Sequence, residues 1–143
     1  EKVLQALREV TSAGGGKVIC VFGCGGDRDR GKRPMMGIVA LKWADECIVT
    51  SDNPRSESPK AIIDAILFGV EGGNYQIIED RAHAIARAVG SACAGDTVLV
   101  AGKGHEDYQE INGVKHPFSD SEVVRRALSV WAPVDHKREW RTA

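Results

Sequence analysis

Residues 17–34, KVICVFGCGGDRDRGKRP, decide the fold of this chain. Lys17 to Phe22 is a short apolar run containing β-branched residues, which is typical of a strand buried inside a sheet. A glycine-rich turn, Gly23–Gly26, follows at once, and a charged arm comes next. Pro34 suits the first turn of a helix, where proline is favoured. The stretch therefore predicts a strand, a glycine turn and a helix in succession.

The same alternation continues on both sides of this stretch. Apolar residues at helical spacing before it predict a helix that ends at the glycines 14–16. The later predicted strands are Glu46–Thr50, Tyr75–Ile78 and Asp96–Ala101, and the predicted helices are Pro34–Ala44, one opening at Pro59, and Arg81–Cys93. This order predicts an α/β fold, a Rossmann-like and mostly parallel sheet with helices on both faces.

The C-terminal part of the chain has its own signals. Asn112-Gly113 stands between the runs Tyr108–Ile111 and Val114–Phe118, which predicts a β-hairpin. Ser119, with Glu122 three residues later, predicts a capped helix that continues to about Trp131. We expect residues 1–132 to form one domain and 133–143 to be a polar, loosely held tail.

Composition excludes several classes of protein. The chain has 143 residues and 19 basic against 20 acidic side chains, a formal net charge of −1. It lacks the basic excess that nucleic-acid and anionic-membrane binding need, so we expect neither partner. Its four cysteines form no CxxC pair, so a zinc site is not indicated. Unpaired cysteines inside apolar runs favour a reduced, cytoplasmic protein.

Three loops of unusual sequence each follow a predicted strand. They are Gly23–Arg33, Ser51–Ser58 and Gly102–Asp107. Ligands of parallel sheets bind outside the carboxyl ends of the strands, so we expect the three loops to share one binding rim.

Each loop taken alone also fits a structural interpretation. The first fails the GxGxxG pattern and no GK[ST] follows it, so by itself it favours an ordinary glycine turn with a solvated charge run. Asn53-Pro54 is a common turn signal, and the third loop fits a polar turn. A nucleophile–base pair of Cys24 and His105 lacks a third orienting group and is disfavoured. His83, on a predicted helix beside Arg81 and Arg87, fits a solvated helix face.

The three loops taken together are more specific. Arg28 and Arg55 offer guanidinium groups and Glu106 offers a carboxylate. A zwitterionic amino acid needs this set, because cations bind its carboxylate and an anion binds its ammonium group.

The same residues carry a resemblance to a known family. GCGGDRDRGKRP (23–34), DNPRSE (52–57) and GKGHEDYQ (102–109) stand in the order and spacing of Mur ligases that add the third peptide residue to the peptidoglycan precursor. From residue 1 to about 131 the chain resembles the C-terminal, amino-acid-binding α/β domain of these enzymes.

The resemblance implies a binding site for meso-diaminopimelate. We expect Arg28 and Arg55 to hold its distal carboxylate, Glu106 to hold the adjacent ammonium group, and Asn53 and Gly102 to shape the pocket. The D-N-P-R loop that carries these contacts also includes Asp52 and Pro54. On the rim, facing phosphate, we expect a second group of basic residues: Lys32, Arg33, Lys103 and His105.

The resemblance also implies the reaction. In the family, ATP phosphorylates the D-glutamate carboxylate of a UDP-MurNAc-dipeptide, and the amine of diaminopimelate attacks the acyl phosphate to form an amide. ATP, magnesium and the UDP-sugar are bound mostly by two other domains. Arg55 favours diaminopimelate over lysine, since lysine lacks the carboxylate that this arginine would pair with.

The sequence departs from the family pattern at its start. It begins inside a helix without a capping residue and lacks the D-Y-A-H-x-P segment that would precede Glu1, as well as any GK[ST] loop. We therefore expect a truncated domain with no catalytic residue, intrinsic cofactor or metal, which is inactive alone and has an altered sheet edge. The alternative is a non-enzymatic α/β module that binds another acidic amino acid or metabolite.

Overall fold

The computed structural model describes residues 1–132; the predicted tail at 133–143 lies outside the described residues. The helices are α1 (Lys2–Ala13), α2 (Lys32–Trp43), α3 (Pro59–Ile66), α4 (Arg81–Ser91) and α5 (Asp120–Ser129). The strands are β1 (Val18–Phe22), β2 (Glu46–Val49), β3 (Tyr75–Ile77), β4 (Thr97–Val100), β5 (Tyr108–Ile111) and β6 (Val114–Pro117). No helix within residues 1–132 has the length and apolar character that crossing a membrane requires.

Four strands form a parallel sheet in the order β3-β2-β1-β4. In the centre, Cys20 of β1 lies opposite Cys47 of β2 on one side and Leu99 of β4 on the other. All five residues of β1 are buried, as expected for a strand covered on both faces. The predicted parallel α/β sheet is therefore confirmed.

The side chains of β1 alternate between two apolar layers. Cys20 and Phe22 belong to the layer under α1, α2 and α3, whereas Ile19 and Val21 belong to the layer under α4 and α5. Successive strand residues point to opposite faces, so one apolar strand supplies both layers. The expected helices on both faces are confirmed.

Capping residues begin three of the helices where the sequence predicts them. Ser58, Asp80 and Ser119 each accept a hydrogen bond from the backbone N–H three residues on. Helix α2 differs, because it begins at Lys32 and Pro34 occupies its third position. The first N–H groups of a helix have no intrahelical acceptor, so proline within the first turn loses no bond and does not delay the helix.

The predicted hairpin is confirmed as a separate two-stranded sheet of β5 and β6. Asn112 and Gly113 both have positive φ, 50° and 79°, which suits a two-residue turn. The hairpin contacts the loop after β2 through a parallel bridge between Arg55 and Ile111. A turn signal read from local sequence thus places a β-ribbon against the candidate site.

Strand β4 forms one edge of the described sheet and pairs only with β1 there. Its residues are half-buried, and Leu99 and Ala101 line a groove of about 550 Å³ between β4, α1 and α2. Met35 on the α2 side of this groove is 65% exposed. Strand β4 therefore has one unpaired side within residues 1–132.

Candidate functional site

The loops after β1, β2 and β4 lie side by side because these three strands are neighbours in the sheet. We call them the glycine loop (23–31), the arginine loop (50–58) and the lysine loop (101–107). Gly26 N–H donates to Asn53 O at 2.7 Å, which joins the first two. Asn53 Oδ1 accepts from Lys103 Nζ at 2.8 Å, which joins the second and third. The expected shared rim is present in the structure.

The glycine loop allows the arginine loop to pass very close. A Cβ atom at Gly26 would collide with Pro54 O, and one at Gly23 would collide with Thr50 O. A Cβ at Gly25 would lie 2.9 Å from Arg55 Nη1. The glycines are therefore required for packing between the two loops, because any side chain would force the chains apart.

Asn53 is the most constrained polar side chain of the arginine loop, and it is 3% exposed. Its Oδ1 accepts from Lys103 Nζ at 2.8 Å and from Glu110 N at 2.9 Å. Its Nδ2 donates to Glu106 Oε1 at 3.1 Å. Two donors fill the carbonyl end, so the amide NH₂ end is the one turned toward Glu106.

Arg55 is held by contacts on both sides. Its φ is 50°, in the left-handed region that non-glycine residues rarely adopt. Its N–H donates to Glu110 O at 3.0 Å, and its O accepts from Asn112 N at 2.9 Å. Its side chain donates from Nη1 to Gly26 O at 2.8 Å, and Nε lies 3.7 Å from Glu110 Oε1. The guanidinium is thereby fixed between the glycine loop and the hairpin.

Arg28 and Arg55 flank the same point of the site. A Cβ atom at Gly25 would lie 3.4 Å from Arg28 Cγ as well as close to the Arg55 guanidinium. Arg28 is exposed, whereas the Arg55 side chain is 16% exposed. One predicted guanidinium is thus anchored and the other lies in solvent beside it.

Glu106 is the exposed carboxylate of the site, with 36% of its side chain accessible. One oxygen, Oε1, accepts from Asn53 and lies 3.6 Å from Lys103 Nζ. The nearby Gly102 has φ 113°, and a Cβ there would lie 3.2 Å from Asp52 Oδ2. Glycine is required at 102 both by this backbone angle and by the approach of the Asp52 carboxylate.

The basic residues expected on the rim fall into two pairs. Lys32 and His105 are exposed, and their position on a rim that faces phosphate stays a prediction. Arg33 and Lys103 are only 2% and 3% exposed, so the expectation that they line an open rim is wrong. Both cations are buried because each is paired with carboxylates of the chain itself.

Glu57, which is not among the predicted site residues, explains the burial of Arg33. Arg33 Nη1 and Nη2 donate to the two Glu57 oxygens at 3.1 and 2.7 Å, and Nη2 also donates to Gly25 O at 3.0 Å. This pairing, with a further bond from Asp27 N, lowers the pKa of Glu57 to about 2. The sequence signal for this ion pair is that Glu57, two residues after Arg55, is an acidic residue in a chain whose first loop is rich in basic residues.

Arg81 forms a second buried clamp, which no motif of the sequence indicates, whereas His83 two residues later is exposed as expected. Arg81 is 1% exposed, and its Nε and Nη2 both donate to Asp120 at 2.8 Å. Nη1 donates to Ser51 O at 3.1 Å and Nη2 to Ala101 O at 3.0 Å. Arg81 therefore ties the arginine loop and the lysine loop to the start of α5.

Cys24 has the environment of a packed residue. It is 8% exposed, its Sγ lies 3.5 Å from Met36 Sδ, and burial raises its pKa to about 11. A thiol with a raised pKa is a poor nucleophile at neutral pH, which argues against the pair with His105. Within residues 1–132 no group of three or more His, Cys, Asp or Glu side chains could hold a metal ion.

Comparison with known proteins places this architecture in a family. Residues 1–104 match the family described as "Mur ligase, glutamate ligase domain". The chain belongs to the Mur ligase family. That match covers the parallel sheet, helices α1 to α4, the glycine and arginine loops and the first four residues of the lysine loop, so the resemblance is confirmed at the level of the family.

The relatives of this Mur ligase domain share one name. The chain is 57% identical over 131 residues to UDP-N-acetylmuramoyl-L-alanyl-D-glutamate–2,6-diaminopimelate ligase of Chromobacterium violaceum and 53% identical over 132 residues to that of Pseudomonas aeruginosa. Each alignment covers 92% of the chain and 26% of the relative. A solved structure of a ligase with the same name matches with a TM-score of 0.78 and 47% identity, over 88% of this chain and 27% of that one. This Mur ligase domain thus spans about a quarter of the length of its relatives.

Proposed function

We propose that this chain is the amino-acid-binding domain of a longer ligase that adds meso-diaminopimelate to UDP-MurNAc-L-Ala-D-Glu. Residues 1–132 form the domain in this proposal, and the site is the edge where the three loops meet. The names of the relatives support the substrate, since each names a 2,6-diaminopimelate ligase.

The placement of Arg55 carries the proposal. Its guanidinium is fixed by Gly26 O and Glu110 beside the exposed Arg28, while Nη2 has no hydrogen-bond partner within residues 1–132. A planar guanidinium with a free edge suits a carboxylate. We assign the distal carboxylate of diaminopimelate to Arg55 and Arg28.

The ammonium group is assigned to Glu106. Its Oε1 is occupied by Asn53, so Oε2 is the oxygen available to a ligand cation. The site then offers cations at one end and an anion at the other, which matches the amino-acid group at the far end of diaminopimelate. Asp52 and Gly102 meet between the arginine and lysine loops, and Pro54 lies against Gly26 of the glycine loop.

Lysine lacks the carboxylate that the arginines would bind. A site built for a polar group discriminates against an analogue without it by as much as roughly 10⁴-fold, because its own groups are left unpaired. Discrimination between diaminopimelate and lysine is therefore the property that we expect Arg55 to confer.

The rest of the reaction is assigned to the other parts of the longer ligase. In its family, ATP converts the glutamate carboxylate to an acyl phosphate, and the amine held by this domain displaces phosphate to form the amide. The 143-residue sequence contains no GK[ST] loop, so we assign the binding of ATP, magnesium and the UDP-MurNAc-dipeptide to other parts of the longer ligase. We propose a cytoplasmic location, with Lys32 and His105 on the rim toward phosphate.

Calorimetric titration of the chain with meso-diaminopimelate tests the proposal, with L-lysine and L-glutamate as controls. Binding of meso-diaminopimelate alone is the expected result. Preferential binding of glutamate would favour the non-enzymatic module for another acidic amino acid. A folded chain, verified by circular dichroism, that binds none of the three at millimolar concentration overturns the assignment of a self-contained site. A GK[ST] loop in the upstream reading frame is the expected genetic result.

A further inference from the structure

Lys103 has no surface with which to meet a ligand. Its side chain is 0% exposed, and Nζ donates to Asn53 Oδ1 at 2.8 Å and to Tyr108 O at 2.9 Å. The same nitrogen lies 2.9 Å from Asp52 Oδ1 and 3.6 Å from Glu106 Oε1. The ammonium group is thus surrounded by acceptors from the arginine loop, the lysine loop and the start of the hairpin.

These contacts determine which end of the Asn53 carboxamide faces the site. An asparagine side chain has one acceptor end and one donor end, and rotation by 180° exchanges them. Lys103 Nζ and Glu110 N are both donors and both bind Oδ1, so they select the orientation in which Nδ2 reaches Glu106. In the opposite orientation, two N–H groups would face the ammonium group and a backbone N–H.

The charges around Lys103 divide unequally. Asp52 is buried with it at ion-pair distance, whereas Glu106 is farther away and partly exposed. Asp52 thus compensates the buried lysine, and the negative charge of Glu106 remains available to a ligand cation. The Lys103 ammonium group is therefore paired with Asp52, and it can lie beneath Glu106 without neutralising the charge that a ligand would bind.

We propose that Lys103 is a positioning residue that fixes the Asn53 carboxamide and, through it, the Glu106 carboxylate that receives the ligand ammonium group. This inference rests on the proposed function for the identity of the ligand. It differs from a phosphate-binding role, because Lys103 acts on the amino acid through Asn53 and touches neither the amino acid nor phosphate.

The first test needs no ligand. NMR of the ¹⁵N-labelled chain follows the side-chain NH₂ of Asn53 in the wild type, in Lys103→Met and in Lys60→Met. Lys60 is the matched control, since it is a lysine with 78% of its side chain exposed on α3. We expect hydrogen exchange of the Asn53 NH₂ to become at least tenfold faster in Lys103→Met alone. An unchanged exchange rate and chemical shift in Lys103→Met overturns the inference.

The second test is a double-mutant cycle on meso-diaminopimelate affinity. Loss of a hydrogen bond from a charged donor weakens binding about 10- to 100-fold, so we expect this loss in Lys103→Met and a similar loss in Asn53→Ala. The affinity of the double variant is expected to lie within about twofold of the affinity of Asn53→Ala. Lys103 acts through Asn53, so its loss has little further effect once Asn53 is removed. Fold-losses that multiply show that Lys103 acts independently, and overturn the inference.

The outcomes separate this inference from the proposed function. A wild-type chain that does not bind meso-diaminopimelate contradicts the assignment of a self-contained site, whereas the NMR comparison still decides the role of Lys103. If Lys103→Met alone does not fold because Asp52 is left unpaired, both tests are made in the Asp52→Asn background, where no buried carboxylate is stranded. Equal exchange rates and affinities with and without Lys103 in that background overturn the inference.

Discussion

Arg81→Met tests how the site is attached to the fold. Arg81 makes four hydrogen bonds, two to Asp120 and one each to Ser51 O and Ala101 O. It is 1% exposed and the Asp120 side chain is 11% exposed. Methionine fills a similar space but offers no donor, so one carboxylate and two carbonyl groups lose their partner.

The size of the effect follows from these contacts. Removal of one member of a buried ion pair costs about 3–5 kcal/mol, because the other charge remains buried without compensation. A chain of this length loses roughly 3–4 °C of melting temperature per kcal/mol, so we expect a decrease of about 10–20 °C. The arginine and lysine loops should separate first, since Arg81 joins them.

Urea unfolding followed by circular dichroism measures the free energies of Arg81→Met, Asp120→Asn and the double variant. The double variant should be less destabilised than the sum of the singles, because the stranded carboxylate is absent. Arg125→Met, at an exposed position of α5, should change stability by less than about 0.5 kcal/mol. A loss below about 1 kcal/mol in Arg81→Met, or additive losses, would refute the reasoning.

Three further predictions concern the loops themselves. Arg55→Ala should abolish meso-diaminopimelate binding in calorimetry with little change in melting temperature; unchanged affinity contradicts the assignment of the distal carboxylate. Because its ion pair holds the pKa of Glu57 at about 2, below the ordinary 4.5, this residue contributes stability that is complete above about pH 4.5 and is lost as the pH falls toward 2. The deficit of Glu57→Gln in urea unfolding should therefore shrink over that interval, and a constant deficit would count against the ion pair. Gly26→Ala should lose about 1–3 kcal/mol by collision with Pro54 O, whereas Gly90→Ala, in open space on α4, should gain about 0.5–1 kcal/mol; equal effects would contradict the packing argument.

The fold could be predicted from sequence because its signals are local. Strands β1, β2 and β4 are short, mainly apolar runs, and the caps Ser58, Asp80 and Ser119 each act on an N–H three residues away. Asn112-Gly113 specifies its turn through backbone angles that these two residues tolerate. The boundaries are less exact: α2 begins two residues before Pro34, since proline is tolerated at several positions of a first turn, and α4 ends at Ser91 rather than Cys93.

The composition of the site could be predicted in part. The three loop sequences contain the residues that meet at the sheet edge, because parallel strands bring their carboxyl ends together. Sequence spacing does not report burial, so Lys103 and Arg33 were expected on the rim and are found inside. The partners that bury them, Asn53 and Glu57, lie 50 and 24 residues away along the chain.

The sequence by itself therefore determined the order of the elements, the family and the chemical character of the loops. Only the tertiary structure decided which cations face solvent and which face a carboxylate of the chain, and which end of the Asn53 carboxamide faces Glu106. The physical reason is that hydrogen bonding and the desolvation of a charge depend on neighbours in space, whereas helix and strand preferences depend mainly on neighbours in sequence.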